Sequence, residues 1–332
     1  MTKLHDIGED RLIELLAERL GASGVESSLG LKDDVALIGD LAGSRTIVSM
    51  DTMVEGTHFR WWPGLTPADL GYKLAMTNLS DLAAKGATPT AMMLSLGMPQ
   101  ETTLEEAEAF FDGLGDALAG YSPGLIGGDT VRSPVWTATL WVAGALQLDR
   151  FMPRRRNARP GMNLFVTGQP GEAAAGFEVL EENKGRKKHA GLVQRFIRPE
   201  ARLDWARTLV RVIEEPFAML DVSDGVAKDA MRIARASKVG IELEQSALPV
   251  SKDLATFAKE KSRKAEELVL FGGEDFELLL AAPLAEDELH ERLGDSGVVV
   301  TQIGEVVAGG GVAIRGKRGK AKKIESGFFE HF

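Results

Sequence analysis

Two hydrophobic periods alternate along the chain. The short apolar runs "DVALIG" (34–39) and "RTIVSM" (45–50) predict strands, the second leading straight into Asp51. Thr66 and Pro67 then supply a capping residue and a proline at the first helical position. Tyr72, Ala75, Met76, Leu79, Leu82 and Ala83 share one face of that helix, and Gly86 closes it. "TAMMLSLGMP" predicts a strand, "TLEEAEAFFDGLGDALAGY" a helix, "GLIGGDT" a strand end and "VWTATLWVAGAL" a long strand. The basic, proline-bearing stretch "DRFMPRRRNARPGMN" breaks this pattern, which places a domain boundary near residue 148 and predicts domains 1–148 and 149–332. Beyond it come the strand "NLFVTG", a helix after Gly171, the apolar "FAML" running through "DVSDG" into another helix, and a glycine-rich hairpin near "AGGGVAIRGKRGK". At the other end, Leu12, Ile13, Leu15, Leu16 and Leu20 predict an amphipathic helix stopped by Gly21.

Composition narrows the chemistry. A chain of 332 residues exceeds what one core usually organises, in line with two domains. Its apolar and charged content is that of a soluble globular protein, with no charge-free apolar run long enough for a bilayer. The charged N-terminus lacks the apolar core of a signal peptide, so a cytoplasmic location is expected, without a membrane partner. The absence of cysteine excludes thiolate nucleophiles, iron–sulfur clusters and cysteine-ligated zinc. A net charge of −10 argues against nucleic acid as a partner. It also means that binding an anion requires local positive charge, from basic side chains or from a cation.

Carboxylates recur where strands are expected to end. Asp33 and Asp34 precede "VALIG", Asp51 ends "TIVSM", Asp129 follows "LIGG", Asp221 and Asp224 follow "FAML", and Glu274 and Asp275 follow "LVLFGG". Asp81 lies on the first helix, one turn from Asn78. Each alone reads equally well as a cap or an Asx-turn. Strand ends in layered folds converge on one rim, however, and clustered carboxylates repel unless a cation joins them. Mg²⁺, which takes carboxylate, water and phosphate oxygens, fits that need. The pattern therefore favours phosphoryl chemistry with several Mg²⁺ ions. "VTGQPGEAAAG" offers a helix start that can receive phosphate or serve as a plain helix end. Arg154, Arg155, Arg156 and Arg159 stand where they can reach phosphates or simply face solvent. "GVAIRGK" mimics part of a P-loop, but Arg318 replaces the metal-binding hydroxyl residue, so a hairpin is expected.

The ordered set "DDVALIG", "MDTMVEGTHF", "NLSDLAAKGATP", "LIGGDT", "VTGQPGEAAAG", "LDVSDG", "GGEDFELL" and "GFFEHF" resembles the thiamine-monophosphate kinase family of the aminoimidazole ribonucleotide synthetase superfamily. The resemblance implies an α+β fold of two domains: an N-terminal sheet domain that pairs across a homodimer, and a C-terminal α/β sandwich that completes the ATP and substrate site. It implies ATP-dependent phosphorylation of thiamine monophosphate to thiamine diphosphate by direct transfer. Asp34, Asp51, Asp81, Asp129, Asp221 and Asp224 would be magnesium ligands, with oxygen contacts at Ser49 and Met50. Gly128, Asp129, Arg155 and Ser223 would lie at ATP, and His58, Glu274 and Phe329 at the thiamine substrate. No general base is required, because the acceptor is already an ionised phosphate oxygen.

The sequence departs from the family at three positions. Lys32 stands where glycine is usual and Met50 where threonine is usual. A backbone carbonyl contact at residue 50 survives that change; a hydroxyl contact does not. Lys85 occupies a helix position where an apolar residue is expected. Superfamily members that depend on a terminal cysteine or selenocysteine are excluded by composition. A catalytically weak nucleotide- or thiamine-phosphate-binding protein remains the reading from another class.

Overall fold

Period-two burial builds the first sheet in the computed structural model. The described residues are 33–324, apart from 42, 43, 122, 148, 150, 296, 317, 318 and 320. The expected N-terminal helix, Lys32 and Phe329 lie outside them. Strands β1 (Ala36–Leu41), β2 (Ser44–Val54), β3 (Thr88–Met98), β4 (Gly124–Arg132) and β5 (Thr137–Gln147) form one sheet in the order β1-β2-β5-β3-β4. On β2, Ile47 and Met53 are buried while Met50 is 61% exposed. Ser49 and Asp51 therefore share the inner face, and Met50 points the other way.

Helix α1 (Pro67–Ala83) covers the inner face, and α2 (Leu104–Leu118) packs on α1. Reciprocal capping boxes start both, Thr66 with Asp69 and Thr103 with Glu106. Two glycines let the helices touch. A Cβ on Gly71 would sit 2.0 Å from the Phe110 carbonyl oxygen, and one on Gly113 would sit 1.8 Å from that of Ala68.

The second sheet contains β6 (Asn163–Thr167), β7 (Ala218–Val222), β8 (Gly240–Glu244), β9 (Glu277–Ala282), β10 (Val300–Val307), β11 (Gly311–Arg315) and β12 (Ala321–Lys323). Their order is β12-β11-β8-β10-β6-β9-β7. Helices α3 (Glu172–Glu182), α4 (Ala190–Ile197), α5 (Leu203–Val212), α6 (Val226–Ser237), α7 (Lys252–Glu260), α8 (Ala265–Phe271) and α9 (Glu286–Leu293) accompany it. The "LVLF" run that precedes Glu274 ends helix α8 rather than a strand. Strands β7 and β9 are buried at every position, so both their faces are covered. Met219, Leu278 and Leu280 join the core under the first sheet, while Leu220, Leu279 and Ala281 join a second core with α6. One core thus runs continuously from the first sheet into the second, and edge strand β7 lies against α1.

A buried ion pair ties this core together. Arg202 donates to Glu277 through Nε (2.7 Å) and Nη2 (2.6 Å), and Thr167 Oγ1 donates to the same carboxylate at 2.6 Å. Replacing Arg202 with alanine strands a buried charge, so a loss of about 3–5 kcal/mol is expected in chemical denaturation. An unchanged midpoint and slope would show that the pair contributes nothing to stability.

Candidate active site

The polar residues of α1 form a stripe at helical spacing: Lys73, Thr77, Asp81 and, just past the helix end, Lys85. In an isolated amphipathic helix that stripe would face water. Here it faces the middle of β2 and the end of β7, because α1 is sandwiched between the two sheets. Asp34, Asp81 and Asp221 offer carboxylate oxygens that all lie within 4.8 Å of one another. Asp51 joins them through a carboxyl–carboxyl hydrogen bond with Asp81. Its backbone N–H donates to Asn78 Oδ1 at 3.1 Å, which fixes this part of β2 against the helix; β2 continues to Val54, so Asp51 lies within the strand rather than at its expected end. Ser49 Oγ donates to Asp81, and Ser80 Oγ donates to Asp221 at 2.9 Å.

These carboxylates do not share the same electrostatics. Burial pushes Asp51 up to about 6 and, with the charges of Asp34 and Asp229, pushes Asp221 up to about 7. Burial and then the charges of Asp51, Asp221 and Asp34 hold Asp81 well above the usual carboxylate range. Asp34 goes the other way. The Arg155 guanidinium and Lys85 ammonium outweigh its burial and hold it far below the usual range. Asp51, Asp81 and Asp221 are therefore an under-neutralised set of hard oxygen donors, which fits a divalent cation.

Other predicted residues occupy different surroundings. Asp224 accepts from Arg232, which also pairs with Asp229, and lies 3.3 Å from Lys228 Nζ, so it is already paired with basic groups. The turn before α6 is held by Asp229, whose Oδ2 accepts from the backbone N–H groups of Ser223 and Asp224 at 3.2 Å each. Gly225 is required there: φ is +100°, and a Cβ would meet the carbonyl oxygens of Gly272 and Leu270 at 2.8 Å. Ser223 Oγ lies 3.4 Å from Arg232 Nη1. Arg155 sits at the cluster through Asp34, its Nε donating at 3.1 Å.

Gly128 and Asp129 lie on β4, which is exposed along its whole length. Asp129 is in register with Ser95, Ser95 with Thr139, and Thr139 with Thr52. That row alternates with Asp51 and belongs to the outer face of the sheet. Three strand spacings put Asp129 roughly 14 Å from Thr52, too far to share an ion with Asp51 in the same chain. Met50 also faces outward, so a threonine hydroxyl there would point away from the cluster.

His58 is partly buried, and its Nδ1 accepts from the Val54 N–H at 3.1 Å. Glu274 adopts φ +65°, unusual for a non-glycine residue, and accepts from Lys73 Nζ at 3.0 Å. Lys73 is buried, with Nζ 3.3 Å from the centroid of the Phe196 ring. The helix start after "VTGQPG" is filled by the protein itself. Asp275 accepts from the Gly171 and Ala173 N–H groups at 2.7 and 3.1 Å, taking the position an anion would occupy. Sequence alone gives Lys73 no role and marks Lys85 only as a departure, although the Lys73–Thr77–Asp81–Lys85 spacing is a readable signal.

The two sheets and the carboxylate set between them have counterparts among known proteins. The family model for the AIR synthase related protein N-terminal domain matches residues 32–146, and that for the C-terminal domain matches residues 159–317. The thiamine-monophosphate kinase of Escherichia coli (strain K12) is 36% identical over 307 residues, covering 91% of each chain. That of Aquifex aeolicus (strain VF5) is 31% identical over 332 residues, covering 99% of this chain and 100% of its own. The solved structure of AaThiL complexed with AMPPCP and TMP superposes with a TM-score of 0.86 at 30% identity, covering 100% of this chain and 99% of that one. This chain belongs to the thiamine-monophosphate kinase family and is a thiamine-phosphate kinase with the two-domain α+β architecture expected from sequence.

Proposed function

We propose that the chain transfers the γ-phosphoryl group of ATP directly to the phosphate of thiamine monophosphate, giving thiamine diphosphate and ADP. A phosphate oxygen of the acceptor forms the new P–O bond in line with the bond to the ADP oxygen, which breaks. The observation that carries this reading is the under-neutralised set of Asp51, Asp81 and Asp221 between the sheets. AMPPCP is a non-hydrolysable ATP analogue, so the AaThiL complex supports the same pair of substrates. Several Mg²⁺ ions, when bound, would neutralise the phosphates and the charge that develops during transfer. Ser49 and Ser80 hold two of the carboxylates in place, and Asn78 fixes the Asp51 backbone. No side chain needs to accept a proton, because the acceptor oxygen is already ionised.

Residues 1–148 are assigned to ATP and metal binding and to dimerisation, and residues 149–332 to completing the ATP and substrate site. Arg155 and Ser223 are assigned to ATP, and His58, Glu274 and Phe329 to the thiamine substrate. A homodimer is supported by the uncovered outer face of the first sheet, where Met50 and Met93 are exposed, and by the adjoining edge strand β4, where Leu125 and Ile126 are exposed. Pairing there would let Gly128 and Asp129 serve a neighbouring copy, which suits their distance from the cluster in their own chain. Among the described residues no helix is long and apolar enough to cross a membrane, and a cytoplasmic location completes the reading.

The test is a Mg²⁺-dependent assay with ATP and thiamine monophosphate that resolves ADP and thiamine diphosphate. Free thiamine and an Asp221→Asn variant run beside it. Equal amounts of both products, lost in the variant, are expected. Binding without turnover would favour a thiamine-phosphate-binding protein, and neither binding nor turnover would overturn the assignment.

A further inference from the structure

Asp34 differs from its neighbours because its cations are already present and covalently attached to the chain. Its Oδ2 accepts from the Lys85 ammonium, and its Oδ1 accepts from Arg155 through Nε and Nη2. Lys85 is completely buried, also pairs with Asp33, and donates to the Met219 carbonyl oxygen at 3.1 Å. An ammonium has three N–H donors, and these three oxygens use all of them. A buried charge persists only when paired and hydrogen-bonded, so Lys85 has little freedom to leave. The end of α1 fixes its backbone as well: Lys85 N–H donates to the Leu82 carbonyl oxygen at 3.1 Å, and Gly86 turns the chain at φ +66°.

We propose that Lys85 takes the place of a divalent ion at Asp33 and Asp34, confining this chain's metal ions to the side of the cluster held by Asp51, Asp81 and Asp221. The inference rests on the metal reading above and changes the ligand set it implies. Asp34 becomes a link between two fixed cations, Lys85 and Arg155. That arrangement holds Arg155 beside the carboxylates, where its remaining N–H groups are placed for a nucleotide phosphate. Lys85 is therefore a positioning residue that substitutes one immobile charge for one exchangeable ion.

The test counts ions rather than turnover. Crystals of the wild-type protein loaded with Mn²⁺ and AMPPCP should show anomalous peaks on Asp51, Asp81 and Asp221, with Lys85 Nζ still on Asp34. A peak on Asp34 with Lys85 displaced would overturn the inference. In solution, Mn²⁺ titration followed by electron paramagnetic resonance should give Lys85→Met one more ion per chain than wild type. Equal counts would overturn the inference and leave the metal reading intact; no Mn²⁺ on either protein would overturn both. The crystal measurement needs no variant, so it decides the matter even if Lys85→Met does not fold.

Discussion

Asp81→Asn should lower phosphoryl transfer by about 10²–10³-fold, the scale of losing one preorganised group at a developing charge. The same variant should make the metal-free protein more stable. Asp81 is held among Asp51, Asp221 and Asp34, and burial adds to their repulsion of its charged form. Asparagine keeps the shape and leaves an oxygen to accept the Ser49 hydroxyl, but it removes the repelled charge. Relief of such a penalty raises Tm by about 1–2 °C for each kcal/mol regained in a chain of this length. A residue kept for packing would lose stability and activity together, whereas one kept for a cation trades the first for the second. Thermal unfolding in a chelator, set beside the kinase assay, separates the two. A lower metal-free Tm for Asp81→Asn would refute the reading of this aspartate as a strained ligand.

The site was legible in part, and the division follows from how much each feature depends on distant chain. The helix opened by Thr66 and Pro67 and the "DVSDG" turn are local patterns and stand where the sequence places them, whereas the strand expected to end at Asp51 runs on to Val54, paired with β5 throughout. The meeting of Asp34, Asp51, Asp81 and Asp221 was inferred from strand ends, yet Asp81 reaches the group from a helix. Asp129 was grouped with them because "LIGG" also reads as a strand end. Strand order and register, which no local pattern encodes, put it on the outer face instead. The partners of Asp224 were hidden for a related reason. Arg232 follows it by eight residues, two turns along α6, and its role depends on which way the turn aims the carboxylate. Lys85 looked misplaced as a lysine in an apolar position. Its oxygens come from Asp33, Asp34 and Met219, far apart in sequence, so only the fold reveals them.

Stability of the metal-free protein should fall as pH rises from about 4 to about 7, and Mg²⁺ should remove most of that fall. Asp51 and Asp229 are raised to about 6 and Asp221 to about 7, chiefly by burial, from an ordinary value of 3.8. Across this window the folded chain holds protons that the unfolded chain has released. Stability is therefore fully present below the unfolded value and is lost as pH rises through the folded ones. Asp34 acts in the opposite sense, but its lowered value confines its effect to pH below about 4. Each tenfold change in proton affinity corresponds to about 1.4 kcal/mol, so Tm should drop by roughly 5–10 °C between pH 4.5 and 7.5. Mg²⁺ competes with the protons of Asp51 and Asp221 for the same oxygens, and its affinity rises as they leave. The Tm increase on adding Mg²⁺ should thus be large at pH 7.5 and small at pH 5. Equal increases at both values would mean that the ion binds away from these carboxylates. A metal-free Tm that instead rose between pH 4.5 and 7.5 would mean that they are neutralised by the protein itself, leaving no electrostatic demand for a cation.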